Sequence, residues 1–210
     1  NFCIFNYYFF RAMNYNIKFY MIPMSPWSYL SMERIINLNR KYKVRIELIP
    51  VDLFYIFKLN NIKKVFERPS SVQKNRLIEL TRWSRYLNIP LNTKPKYFPV
   101  DPIKSCKLII AAKLIYNFHE SWNITEKICK ALWVDEKDIS NEEVLFSIAT
   151  SYGKIEQLKD LFYTKKTTEI LKENTTEALN KNVFGVPSFV FKNELFWGQD
   201  RIFFLEEQVK

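Results

Sequence analysis

The sequence predicts a mixed α/β fold in the order β-α-β, a long helical stretch, then β-β-α. Three observations carry it. Near the start, a short apolar run at Ile17–Met21 leads into an amphipathic helical pattern from about Trp27 to Arg40, and then into the alternation of Lys43–Val51. From about Phe54 to Asn182 the pattern is helical. Strand character returns in Ser188–Phe191 and Leu195–Trp197, on either side of a Lys192-Asn193-Glu194 turn.

Each element has a local cause. In Lys43–Val51, Val44, Ile46 and Leu48 alternate with Arg45 and Glu47 before Pro50 ends the run. Strand, helix and strand in succession make a right-handed, parallel βαβ unit. Asp101-Pro102 caps and opens a helix in which Ile103, Cys106, Leu108, Ile109, Ile110 and Leu114 are apolar nearly all round, so it belongs at the centre. Ser140-x-x-Glu143 reads as a capping box ahead of Val144, Leu145, Ile148 and Ala149, with Gly153 closing that helix. Another helix spans about Thr167 to Leu179, and a final amphipathic one contains Ile202, Phe203 and Leu205. Residues 1–12 are apolar and aromatic but interrupted by Arg11. They are too short for a membrane span and lack a small-residue cleavage pattern. Met13 is a natural start, so 1–12 reads as an upstream extension. The domain organisation that follows joins 13–55 with 183–210 as one unit, interrupted by an all-helical insertion at 56–182.

Composition narrows the function. With 48% hydrophobic and 17% aromatic residues, a chain of 210 residues can bury a sizeable core. A formal charge of +10 invites nucleic acid, but the basic residues are scattered and form no stripe or Arg/Gly-rich tail. Lys, Asn, Ile, Phe and Tyr are raised together, as low-GC coding produces, so nucleic acid is set aside as a partner, and so is a membrane. Cys3, Cys106 and Cys129 are too few for a disulfide framework or zinc knuckle, which points to a reducing, cytoplasmic compartment. The single His119 has no partners for a metal site or a histidine-based triad.

Ser25-Pro26-Trp27-Ser28 stands where the first strand gives way to the first helix. Pro26 suits the first helical position because its missing N–H is not needed there, and the four residues are compatible with a plain helix start. They are equally compatible with a site. In thioredoxin-like proteins this junction carries Cys-x-x-Cys. Serine at both cysteine positions excludes dithiol chemistry here and leaves a hydroxyl at a positive helix end, suited to a thiolate brought in by another molecule. Of only three glycines, Gly185 and Gly198 bracket the last hairpin, where glycine serves either turn chemistry or close backbone approach to a ligand. Val186-Pro187 leads into a strand after a long helical segment, a place where thioredoxin folds often hold a cis proline. The N–H and C=O of Val186 would then be free to pair with an extended peptide. The element order is that of a thioredoxin fold split by an all-helical domain.

Four motifs in order are Ser25-Pro26-Trp27-Ser28-Tyr29-Leu30, Pro95-Lys96-Tyr97-Phe98-Pro99, Phe184-Gly185-Val186-Pro187 and Phe196-Trp197-Gly198-Gln199-Asp200-Arg201. With them, the chain from about Tyr15 to Val209 resembles the 2-hydroxychromene-2-carboxylate isomerases, relatives of the kappa-class glutathione transferases and DsbA-like thioredoxins. The resemblance implies a glutathione-dependent, homodimeric isomerase acting on a small conjugated aromatic carboxylate. A kappa-like glutathione transferase or peroxidase, and a non-catalytic thioredoxin-like binding module, are the alternatives. The resemblance also implies roles. Ser25 faces the glutathione sulfur, Val186 and Pro187 flank its main chain, and Trp197, Gly198, Gln199 and Asp200 hold its γ-glutamyl end. Asp200 is equally well read as a plain N-cap. Lys58, Asn61 (or Asn60) and Tyr97 fall in the family's substrate-contact regions, although Lys58 is equally a solvated lysine at a helix start.

The implied chemistry is thiolate addition to a conjugated double bond, rotation about the resulting single bond, and departure of sulfur. A thiol of pKa about 8.5 needs about 2 kcal/mol to be half ionised near neutrality. A helix N-terminus supplies roughly 0.3–1 kcal/mol and a hydroxyl hydrogen bond to a charged sulfur about 1.5–3 kcal/mol, so no histidine base is needed. Two departures from the family stand out. Ile22 and Pro23 replace its usual acidic and aromatic residues, with Pro23 removing a strand N–H, and Lys63–Arg76 has no clear match to its glycine- and proline-rich loop.

Overall fold

A computed structural model describes residues 16–210; the expected extension 1–12, with Met13 and Cys3, lies outside the described residues. Strand β1 (Asn16–Met21), helix α1 (Pro26–Tyr42) and strand β2 (Arg45–Pro50) form the βαβ unit, with β1 and β2 parallel. Strands β3 (Ser188–Phe191) and β4 (Glu194–Trp197) complete a sheet in the order β2-β1-β3-β4, with β3 antiparallel to both neighbours. The hairpin turn is tighter than expected. Lys192 and Asn193 take positive φ (50° and 66°), as a two-residue primed turn requires, and Glu194 already belongs to the strand.

Seven helices lie between β2 and β3: α2 (Leu53–Leu59), α3 (Ser70–Leu87), α4 (Ile103–Ile115), α5 (Phe118–Trp133), α6 (Glu142–Ala149), α7 (Ile155–Tyr163) and α8 (Lys165–Asn180). Helix α9 (Ile202–Val209) ends the chain after a 3-10 turn at Gln199–Arg201. Helix α4 is central as expected, with Cys106, Leu108 and Ile109 fully buried, although Leu114 at its end is exposed. In α9, Ile202 and Leu205 face the core while Phe203 is half exposed.

Three local expectations are corrected. Ser140 is not the cap of α6: its hydroxyl donates to Asp138 (2.6 Å), and Asn141 instead accepts from the N–H groups of Glu143 and Val144. At α4 the capping position is Pro102, with Asp101 one residue earlier accepting from the Ile103 N–H (2.9 Å). Pro23 costs the sheet no ladder bond, because β1 has ended at Met21.

Helix α8 closes the helical stretch, yet it is bonded to the sheet. Asn174 Nδ2 donates to the Pro50 carbonyl (3.0 Å) and the Asp52 N–H donates to Thr175 Oγ1 (2.9 Å). Side chains on opposite faces of β1 settle its two sides. Phe19 stacks on Phe189 (5.0 Å between ring centroids) and meets Trp122 of α5 (6.0 Å). Lys18 and Tyr20 instead reach Glu177 of α8, at 2.5 and 2.6 Å. No helix among the described residues is long and apolar enough to cross a membrane.

Burial alone would raise the Glu177 carboxyl, but hydrogen bonds from Lys18 and Tyr20 outweigh it and hold the group below its ordinary 4.5. A carboxyl lowered on folding adds stability that is present above its unfolded value and is lost as pH falls through its folded one. Glu177→Gln should therefore lower Tm near neutrality by about 2–4 °C, the equivalent of about 1 kcal/mol in a chain of this length. In thermal melts taken at decreasing pH, the gap between variant and parent should close once the medium is acid enough to protonate Glu177.

Candidate active site

Pairing of Tyr20 with Ser188 places the end of β1 and the start of β3 at the same end of the sheet. Two loops therefore meet there: the one carrying Ser25 and the one carrying Val186-Pro187. Ser25 caps α1 with extended backbone (φ −86°, ψ 116°), and its Oγ accepts from the Ser28 N–H at 3.2 Å. The same Oγ lies 3.5 Å from the Val186 carbonyl, the outer limit of hydrogen bonding. The Ser25 proton is weakly engaged and free to turn toward a better acceptor. No acidic residue sits in the first turn of α1, so the positive helix end is uncompensated there.

The Val186-Pro187 bond is cis. The Pro187 carbonyl accepts from the Gly198 N–H (2.9 Å), tying the loop after β4 to the loop before β3. Gly198 has φ 105°, which a side chain rarely adopts. Gly185 serves close approach rather than positive φ: a Cβ there would stand 2.6 Å from Trp197 Nε1. The approach is made by a side chain of this protein, and Gly185 also lines the cleft. Arg34 on α1 donates to the Gln199 carbonyl (2.5 Å) and to its Oε1 (2.9 Å), holding that buried residue in place. Asp200 is not an N-cap; its carboxylate pairs with Arg201 (2.8 Å).

These residues line one wall of a cleft of about 670 Å³, which takes in Ser25, Val186, Pro187, Trp197, Gly198, Gln199 and Asp200. Lys58, Asn61 and Tyr97 are not among its lining residues. Lys58 and Asn61 are exposed at the far end of α2, with Lys58 in its last turn rather than its first, while Phe54 and Phe57 of the same helix face the cleft. Tyr97 lies beside Phe98 and Pro99, which do line it.

The opposite wall holds residues that sequence reasoning missed. Val72, Arg76, Glu79 and Trp83 fall on one stripe of α3 at helical spacing, joined by Arg68 from the preceding loop. That spacing was a usable signal in a segment otherwise lacking a family match. Burial and the neighbouring Arg68 push the Arg76 guanidinium down to about 10. Among the described residues no cysteine lines the cleft: Cys106 and Cys129 are buried, which pushes both thiols up. The cleft offers a hydroxyl, backbone polar groups and the guanidiniums of Arg68, Arg76 and Arg201, the last paired with Asp200, but no thiol among the described residues.

The chain belongs to the DSBA-like thioredoxin domain family, whose profile matches residues 16–210. It is 26% identical over 197 residues to a 2-hydroxychromene-2-carboxylate isomerase from Pseudomonas sp. (strain C18), covering 92% of this chain and 89% of that protein. It is also 25% identical to glutathione S-transferase kappa 1 from Caenorhabditis elegans, covering 88% and 86%. Among solved structures, a 2-hydroxychromene-2-carboxylate isomerase superposes with a TM-score of 0.78 at 23% identity, covering 92% of this chain and 93% of the other.

Gly185→Ala should displace the Trp197 indole and cost about 1 kcal/mol, the low end for overpacking because Trp197 is half exposed. In a double-mutant cycle with Trp197→Ala that cost should disappear, which urea denaturation of the four proteins measures.

Proposed function

We propose that the protein is a glutathione-dependent isomerase acting on a small conjugated aromatic carboxylate. The weakly engaged hydroxyl of Ser25 carries this reading. It sits at an uncompensated helix N-terminus, in a cleft that contains no cysteine among the described residues. Likeness to curated isomerases at about 26% identity supports the choice of reaction.

The residues fit glutathione. The Val186 N–H has no hydrogen-bond partner among the described residues, so with the adjoining carbonyl it can receive a peptide main chain. Glutathione supplies, when bound, a thiolate able to add reversibly to a conjugated double bond. The Ser25 hydroxyl would donate a hydrogen bond to that sulfur, and the N-terminus of α1 lowers the cost of the negative charge. A charged hydrogen bond of about 1.5–3 kcal/mol is enough, with the helix, for the roughly 2 kcal/mol that half-ionisation requires. Gln199, fixed by Arg34, the Gly198 backbone and the Trp197 ring would hold the γ-glutamyl end. Asp200 takes the glutathione ammonium after releasing Arg201; exposed pairs of this kind are worth about 0–1 kcal/mol, so the exchange is inexpensive. Lys58, Asn61 and Tyr97 do not line the cleft, and this reading assigns them no role.

Turnover of 2-hydroxychromene-2-carboxylate should require glutathione, and Ser25→Ala should reduce kcat/KM about 10- to 100-fold, the worth of one charge-assisted hydrogen bond. The variant also loses a helix cap, so its Tm is measured alongside. Glutathione-dependent conjugation of chlorodinitrobenzene without isomerisation would favour the transferase. Absence of calorimetric glutathione binding at millimolar concentration would overturn both.

A further inference from the structure

We infer that Arg76, flanked by Arg68, is the receptor for the carboxylate of a flat, unsaturated ligand, and so selects what enters the cleft. The inference rests on reading this cleft as a substrate site; it does not require glutathione.

Arg76 projects from the middle of α3 and is partly buried, yet it makes no ion pair and no side-chain hydrogen bond among the described residues. Its guanidinium lies 5.0 Å from the centre of the Phe98 ring, and Phe98 is backed by Trp133 at 5.2 Å. The ring contact steadies the guanidinium while leaving its N–H donors unspent. The charge beside it has the same sign. Arg68 is held by a hydrogen bond from Nε to the Lys63 carbonyl (3.0 Å) and by the Phe57 ring (5.8 Å). The acids that line the cleft are already taken, Glu79 by Arg82 (2.5 Å) and Asp200 by Arg201 (2.8 Å).

Two guanidiniums side by side in a largely apolar cleft, with no anion of their own, are unfavourable until one arrives. A carboxylate matches the planar fork of an arginine through two parallel hydrogen bonds. Phe54, Phe57, Phe66 and Trp83 supply flat apolar surface for the remainder of such a ligand.

The test titrates the full chain with cinnamate and with its neutral counterpart cinnamamide, each with and without glutathione, for the parent, Arg76→Gln, Arg76→Lys and Arg68→Gln. Cinnamate should bind at least about 10-fold more tightly than cinnamamide, and Arg76→Gln should weaken cinnamate about 10- to 100-fold without affecting cinnamamide. Arg76→Lys should recover part of the loss and Arg68→Gln should show a smaller one. Equal affinity of the two probes, or unchanged cinnamate binding in Arg76→Gln, would overturn the inference. So would loss of glutathione affinity alone, which would assign the arginine to a carboxylate of glutathione. Cinnamate selectivity that depends on Arg76 in a protein that does not bind glutathione would sink the glutathione reading and uphold this one. Removing an uncompensated charge should leave Tm unchanged or higher; a lowered Tm would make Arg76 a structural residue and count against the receptor.

Discussion

The register that sets Tyr20 opposite Ser188 is the constraint on which the cleft depends. A strand's side chains alternate between faces, so a slip of one residue would exchange Phe19 for Tyr20 and send the Glu177 contacts into the core. The register is pinned from both sides of β1, by the Phe19–Phe189 stack on one face and by Lys18 and Tyr20 bonded to α8 on the other. With the register set, the loops after β1 and before β3 have one place to meet. Ser25 and Val186, which are 161 residues apart in sequence, then become neighbours.

The two walls of the cleft are built by different means. On the sheet side backbone groups stand beside the short side chains of Ser25, Gln199 and Asp200, positioned by the hydrogen bond from Gly198 to Pro187 and by the grip of Arg34 on Gln199. On the helical side they are long side chains from α3 and the loop before it, set among aromatic rings. A backbone wall recognises what any peptide-like molecule shares, whereas a side-chain wall can change with one substitution.

How much could be read in advance follows the same division. The strands near each end, the serine-bearing helix start and the glycine-flanked hairpin announce themselves through local patterning, and their residues gather at one wall. What stayed hidden depended on distant partners. Gly185 reads as ordinary turn chemistry until Trp197, twelve residues on, is found lying over it. Ser140 and Asn141 are both competent caps, and only the pull of Asp138 on the Ser140 hydroxyl decides between them. The attachment of α8 to the sheet rests on Glu177, Asn174 and Thr175 meeting residues far earlier in the chain. Lys58 and Asn61 fall in regions that the family resemblance assigns to substrate, but α2 presents Phe54 and Phe57 to the cleft, and Lys58 and Asn61 at its far end are exposed.

The Ile22-Pro23 pair that departs from the family pattern has its own place in the structure. Ser25 donates its N–H to the Ile22 carbonyl (3.1 Å), and the Pro23 carbonyl accepts from the indole of Trp133, which is fully buried at the end of α5. Replacing Trp133 by a residue without a donor would leave the buried Pro23 carbonyl unpaired, at a cost of about 1–3 kcal/mol. The pair that departs from the family pattern therefore anchors the serine loop, through its own backbone carbonyls, to the end of α5 and to the cap of α1.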